Sequence, residues 1–135
     1  NAPFNKYKCG EKRMITLKEE KNKAKTLFLE NNISYNENSS CLIAADKDEI
    51  LGFCLFDIDN KKMLIKYIEP LNDAFLADGV LRSTLHIAAE RGVMNAFYED
   101  TVSAEFLKKI GFIKNENEKS LDIDKLFKSC ASCGK

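Results

Sequence analysis

Glu69-Pro70-Leu71-Asn72-Asp73-Ala74-Phe75-Leu76-Ala77-Asp78-Gly79 decides how this chain folds, because an apolar strand-like run ends on its left and a long helical pattern begins on its right. On the left, residues 63–68 (Met-Leu-Ile-Lys-Tyr-Ile) are short and β-prone. On the right, Ala77, Leu81, Leu85 and Ala88 recur at helical spacing, and Gly92 stands where such a helix can end. Residues 93–98 then supply a second strand, so the segment has the length of a parallel crossover. A turn from strand to helix in an α/β protein is a frequent place for phosphate. This one carries Asp73, Asp78 and Gly79 but no basic residue. Two readings stay open: a phosphate cradle, or a helix capped by Asn72 or Asp73 that is already helical over 74–77.

Upstream, Thr16-Leu17-Lys18-Glu19 has the spelling of a capping box, which predicts a helix carrying Leu17, Ala24, Leu27 and Phe28 on one face. After a polar loop, residues 41–45 and 50–56 read as strands joined by a turn at Asp46-Lys47-Asp48. The second of these is apolar on both faces and so predicts a central strand. With 63–68 they make three successive antiparallel strands. Downstream, Val102, Phe106, Leu107 and Ile110 mark a helix stopped by Gly111, and Phe112-Ile113 begins a last extended segment. Residues 121–127 read equally as strand or helical turn.

The totals describe an ordinary globular chain: 135 residues, 44% hydrophobic and 31% charged. Lys+Arg and Asp+Glu stand at 21 each, so no global field favours nucleic acid or an anionic membrane. No apolar run reaches the roughly 18 residues of a membrane span. Five cysteines in a chain with ample core argue against a disulfide framework and for a cytoplasmic protein. Asn1-Ala2, without a methionine, reads as a cleavage remnant left by expression. The expected layout is therefore a single domain over residues 3–128 and a cysteine-bearing tail over 129–135.

Three features together resemble the GNAT superfamily of acyl-CoA-dependent N-acyltransferases. Ile68-Glu69-Pro70 is similar to the family's Val-x-Pro at the end of its fourth strand, and Ala88 to Gly92 keeps a family-like spacing. Phe106-Leu107-Lys108-Lys109-Ile110-Gly111-Phe112 resembles the family's helix ending in Gly-Phe. The resemblance covers residues 41–112 and implies a GNAT-like α/β fold, a mixed sheet in which an antiparallel meander leads into a βαβ crossover. It also implies acetyl-CoA or another acyl-CoA as co-substrate and a small-molecule or peptide amine as acceptor, while the charge balance and the lack of a long apolar run predict no nucleic-acid and no membrane partner.

Carried onto this sequence, the family's Arg/Gln-x-x-Gly-x-Gly/Ala pyrophosphate motif falls on Ala74, Ala77 and Gly79, with Ile68 and Val80 beside it. Two small residues are kept and the basic or amide residue is replaced by Ala74. Asp73 and Asp78 would each repel a pyrophosphate by about 3 kcal/mol at about 5 Å and an effective dielectric of about 20. The family's frequent thiolate-protonating tyrosine corresponds to Leu107, and its asparagine to Asp100, expected here as a helix cap. Glu69 and Tyr67, two apart and so on one side of a strand, are candidates for proton transfer, with Tyr98 at the end of the next strand facing the same cleft. His86, mid-helix between Leu85 and Ile87, reads as structural. Cys130 and Cys133 form a CxxC that supplies two of the four ligands a structural zinc needs, with Cys9 a conceivable third. Cys41 and Cys54 read as small core residues. Two rival functions remain: a non-catalytic GNAT-fold module that binds a ligand or partner, and a scaffold for a metal or redox tail.

Overall fold

The computed structural model describes residues 14–124 and Leu126. Cys9, Cys130, Cys133 and the rest of the tail lie outside the described residues. In chain order the elements are β1 (Ile15–Glu19), α1 (Lys21–Glu30), β2 (Ser39–Asp46), β3 (Glu49–Ile58), β4 (Met63–Glu69), α2 (Ala74–Glu90), β5 (Ala96–Tyr98), α3 (Ala104–Lys109) and β6 (Ser120–Leu121). They build one six-stranded sheet in the order β1-β2-β3-β4-β5-β6. The first four strands are an antiparallel meander, β4 and β5 are parallel across α2, and β6 returns antiparallel to β5.

Alternation in β2 and β3 explains why their sequences look apolar throughout. Cys41, Ile43 and Leu55 point to one face and pack with Ala24, Leu27 and Phe28 of α1. Leu42, Ala44, Cys54 and Phe56 point to the other and meet Ala77, Val80, Leu81, Leu85 and Ala88 of α2. A strand covered on both faces has no polar side to show. The expected stripe on α2 is the one buried.

The meander has four strands where the sequence predicts three. Residues 16–19 are not a capping box but most of β1, whose register runs Ile15↔Asp46 to Glu19↔Leu42. Thr16 Oγ1 donates to the Ala45 carbonyl, and Glu19 accepts from Ser40 Oγ at 2.6 Å and from Arg91 at 2.5 Å. These partners sit far along the chain, so a local pattern could not anticipate them. Helix α1 starts at Lys21, and Leu17 is not on its buried face.

Two segments are shorter than expected. Gly92 at φ 77° turns the chain off α2, and the Val93 amide returns to the Ala88 carbonyl, so β5 starts only at Ala96. Gly111 at φ 87° does the same for α3, with Phe112 donating to the Leu107 carbonyl. Phe112 and Ile113 then plug the core as a loop rather than extend, and the strand forms later, at Ser120. Beyond it the Leu126 amide donates to the Ile123 carbonyl in a helical turn. Ser103, not Asp100, caps α3 by accepting from the Phe106 amide. Asp100 instead reaches Lys119 at 2.5 Å.

One irregularity shapes everything near the opening stretch. Tyr67 pairs with Leu55 and Ile65 with Phe56, so Lys66 is an extra residue in β4. Without it, residues 63, 65, 67 and 69 would share a face. With it, Met63, Ile65 and Ile68 face α2, whereas Tyr67 packs on the α1 side. The end of β4 also presses against β3. A Cβ built on Gly52 would lie 2.7 Å from the Glu69 carbonyl oxygen and 2.9 Å from Pro70 Cδ. Gly52→Ala is therefore expected to cost about 1–3 kcal/mol in urea unfolding, as overpacked sites do.

Candidate active site

Strand β4 pairs with β5 only through residues 63–65, and then runs on to Glu69 without it. The Glu99 amide donates to the Ile65 carbonyl, and Thr101 Oγ1 donates to the Lys66 carbonyl at 2.5 Å. Past that last tie the two strands part. A cleft of about 280 Å³ opens in the fork, with Tyr67, Ile68 and Glu69 on one wall and Thr101, Val102 and Ser103 on the other. The bulge at Lys66 is the physical cause, since an extra residue bends and twists its strand. The bulge is itself anchored. Lys66 Nζ sits 3.0 Å from Asp57 Oδ2 and 3.0 Å from the Ser34 carbonyl. It also lies over the Phe28 ring.

Tyr67 and Glu69 come together as the two-residue spacing predicts. The Tyr67 hydroxyl donates to Glu69 Oε1 at 2.8 Å. Phe53 stacks behind the tyrosine ring, centroids 6.0 Å apart, and fixes its plane. Because Glu69 holds its proton, the phenol titrates above its ordinary value. A hydroxyl and a carboxylate thus share one hydrogen bond at the cleft wall.

Tyr98 is placed elsewhere. Its ring is buried in the core on the α2 side, its hydroxyl donates to the Glu118 carbonyl, and Lys119 Nζ lies 5.1 Å above its ring. The expectation that it faces the cleft does not hold, because Ala96 and Tyr98 are the inward residues of a three-residue strand. Leu107, at the family's tyrosine position, is fully buried.

The coenzyme candidates Ala74, Ala77, Gly79 and Val80 all lie inside α2, which starts at Ala74. Of the two readings, the capped helix is the one formed. Asp73 Oδ1 accepts from the Leu76 amide at 3.1 Å, and the Asp73 carbonyl accepts from the Ala77 amide at 2.9 Å. Of the first-turn donors, the amides of Ala74 and Phe75 are those without an intrahelical acceptor. Ala77 and Val80 are buried against the sheet. Gly79 faces open space, where an added Cβ would touch nothing within 4 Å. Asp78 is neutralised by Arg82 at 3.0 Å, one helical turn on. Only Asp73 therefore puts negative charge on the helix terminus, and it does so as the cap.

His86 lies two turns further along α2, in a polar groove with Glu19 and Arg91. Cys41 and Cys54 are free and buried, and burial pushes the Cys54 thiol to about 12. Among the described residues no cluster of three or more His, Cys, Asp or Glu side chains could hold a metal ion. None of the described helices is long and apolar enough to cross a membrane.

Sequence reasoning missed Lys66, Asp57, Gly52 and Thr101 as the residues that shape the cleft. Gly52 carries a signal, since a glycine inside a strand pattern often marks close backbone approach. Lys66 carries a weaker one, a charge in an otherwise apolar strand.

A four-stranded meander, a parallel crossover through one long helix and strands that part at its start define a GNAT-like fold. Among solved structures, one from Desulfovibrio desulfuricans, described as a "putative acetyltransferase of the GNAT family", superposes with a TM-score of 0.53 at 9% identity, covering 73% of this chain and 85% of that one. At that identity the likeness is one of fold. No protein-family model and no curated protein matches the sequence.

Proposed function

We propose that the fork between β4 and β5 binds the thioester end of an acyl-CoA, acetyl-CoA being the simplest, and that the acyl group passes to an amine. The parting of the strands at Lys66 carries this reading, because a pantetheine arm needs such a gap beside exposed strand backbone. Ile68 would contribute main-chain contacts to the thioester carbonyl. The pyrophosphate would lie at the start of α2, near the amides of Ala74 and Phe75 and the open flank of Gly79. Balanced charge supports an acceptor other than nucleic acid. The free thiols of Cys41 and Cys54 support a cytoplasmic location.

The Tyr67–Glu69 pair suits both proton transfers. Glu69 takes a proton from the substrate ammonium, and the freed nitrogen attacks the thioester carbonyl. As the C–N bond forms and the C–S bond breaks, the departing thiolate takes the Tyr67 proton. Tyr67 recovers one from Glu69 across their 2.8 Å hydrogen bond, and the second amine proton leaves to water. This arrangement replaces the tyrosine that Leu107 displaces. Thiol release from acetyl-CoA, followed with a chromogenic disulfide across a panel of amines, tests the reading. Amine-dependent release supports it, and release no faster than buffer hydrolysis for every amine overturns it.

Asp73 favours one rival, a module that no longer binds coenzyme, because its carboxylate already fills an anion position. Asp73→Ser separates the two. Serine caps a helix about as well as aspartate, so stability should hold within a few tenths of a kcal/mol. Removing the charge should tighten acetyl-CoA about three- to tenfold in calorimetry at low salt, and less at high salt. Unchanged affinity would place the pyrophosphate away from this helix end.

A further inference from the structure

We propose that the acceptor is a primary alkylamine with no carboxylate or phosphate near its nitrogen, held as the ammonium by Glu69 against the Tyr67 ring. The proposal rests on the acyl-transfer reading of the same cleft and concerns what the reaction consumes.

Among the described residues the cleft has one charged lining residue, and it is Glu69. Among the described residues no Lys, Arg or His lines it. Two cations near it are paired already: Lys66 with Asp57 and the Ser34 carbonyl, and Arg82 with Asp78. An acceptor carrying its own anion would find no counter-charge in the cleft and would meet Glu69 instead. Tyr67 takes only Oε1 of that carboxylate, which leaves Oε2 to receive an ammonium. The tyrosine face, braced by Phe53, offers the second attraction available to a cation. Asn72, Thr101 and Ser103 add neutral polar atoms at the margin. This lining suits a free alkylamine or the side chain of a lysine, and it disfavours α-amino acids and phosphorylated amino sugars.

The test uses binding rather than turnover. The Tyr67 ring signals are followed by NMR as the full chain is titrated with 1,4-diaminobutane or with 4-aminobutanoate, which has similar reach but ends in a carboxylate. The diamine should bind at least about tenfold more tightly, and Glu69→Gln should remove most of that difference. Nα-acetyl-lysine methylamide distinguishes the two sources: binding tighter than the diamine assigns a protein lysine, and weaker binding assigns a free amine. Equal or tighter binding of 4-aminobutanoate, or no shift with any amine, overturns the proposal. A separate titration with acetyl-CoA reports on the coenzyme, so its failure would remove the acyl-transfer reading without touching the amine result.

Discussion

Glu69→Gln is expected to lower kcat by about 10²-fold or more and to leave the KM for acetyl-CoA near its starting value. General acid–base groups contribute about 10²–10⁴-fold, and in the proposed mechanism Glu69 serves both transfers. Glutamine keeps the size and can still accept the Tyr67 proton in a hydrogen bond, so the cleft should keep its shape. Tyr67→Phe should give a loss of similar size, because it removes the donor yet preserves the ring stacked on Phe53. The double variant should be little worse than either single one, since the two act as one unit. Additive losses would mean separate roles. The pH profile adds a check. The Tyr67 proton is held by Glu69 and leaves above the ordinary tyrosine value of 10.0. The wild-type rate should therefore not fall on the alkaline side until the pH exceeds that value. A fall that starts well below it would assign the acid to another group.

Asp57→Ala is expected to destabilise the fold by about 3 kcal/mol or more, read from urea unfolding. The Lys66 side chain is 7% exposed and that of Asp57 18% exposed. Deleting the aspartate strands a buried ammonium with the Ser34 carbonyl as its remaining hydrogen bond, and breaking such pairs costs about 3–5 kcal/mol. Two further bonds go with it, from Ser39 Oγ at 2.6 Å and Asn36 Nδ2 at 3.0 Å. Lys66→Met should cost less, because Asp57 keeps both of those donors. Combining the two changes should recover at least about 1 kcal/mol relative to Asp57→Ala alone, as expected when the stranded charge is the main penalty. Simple additivity would show that the pair contributes little beyond its separate contacts. Lys66 is also the extra residue in the β4 register where the strands part.

The elements that proved legible are those whose pattern is set by burial. β2, β3 and β4 read as strands because two covered faces leave an apolar run, and α2 because its stripe lies on a sheet. β1 is not legible locally because it is an exposed edge strand, and Thr16-x-x-Glu19 spells a helix cap equally well. Its pairing with residues 42–46, distant in sequence, makes it a strand. At the site, the Tyr67–Glu69 pairing followed from strand periodicity. The cleft itself did not, since Met63-Leu-Ile-Lys-Tyr-Ile-Glu69 reads as one regular strand and nothing local marks Lys66 as the inserted residue. The question raised by Asp73 and Asp78 divides in the structure. One is neutralised by Arg82, and the other becomes the cap that competes with any phosphate.

The most direct measurement is a titration of isotopically labelled protein with acetyl-CoA to millimolar concentration, with backbone amide shifts assigned. Saturable shifts at Ile68, Glu69 and Thr101, extending to Ala74 and Phe75, are the predicted result. Shifts absent from the β4–β5 fork, or confined to residues elsewhere, would contradict the assignment of this cleft to acyl-CoA.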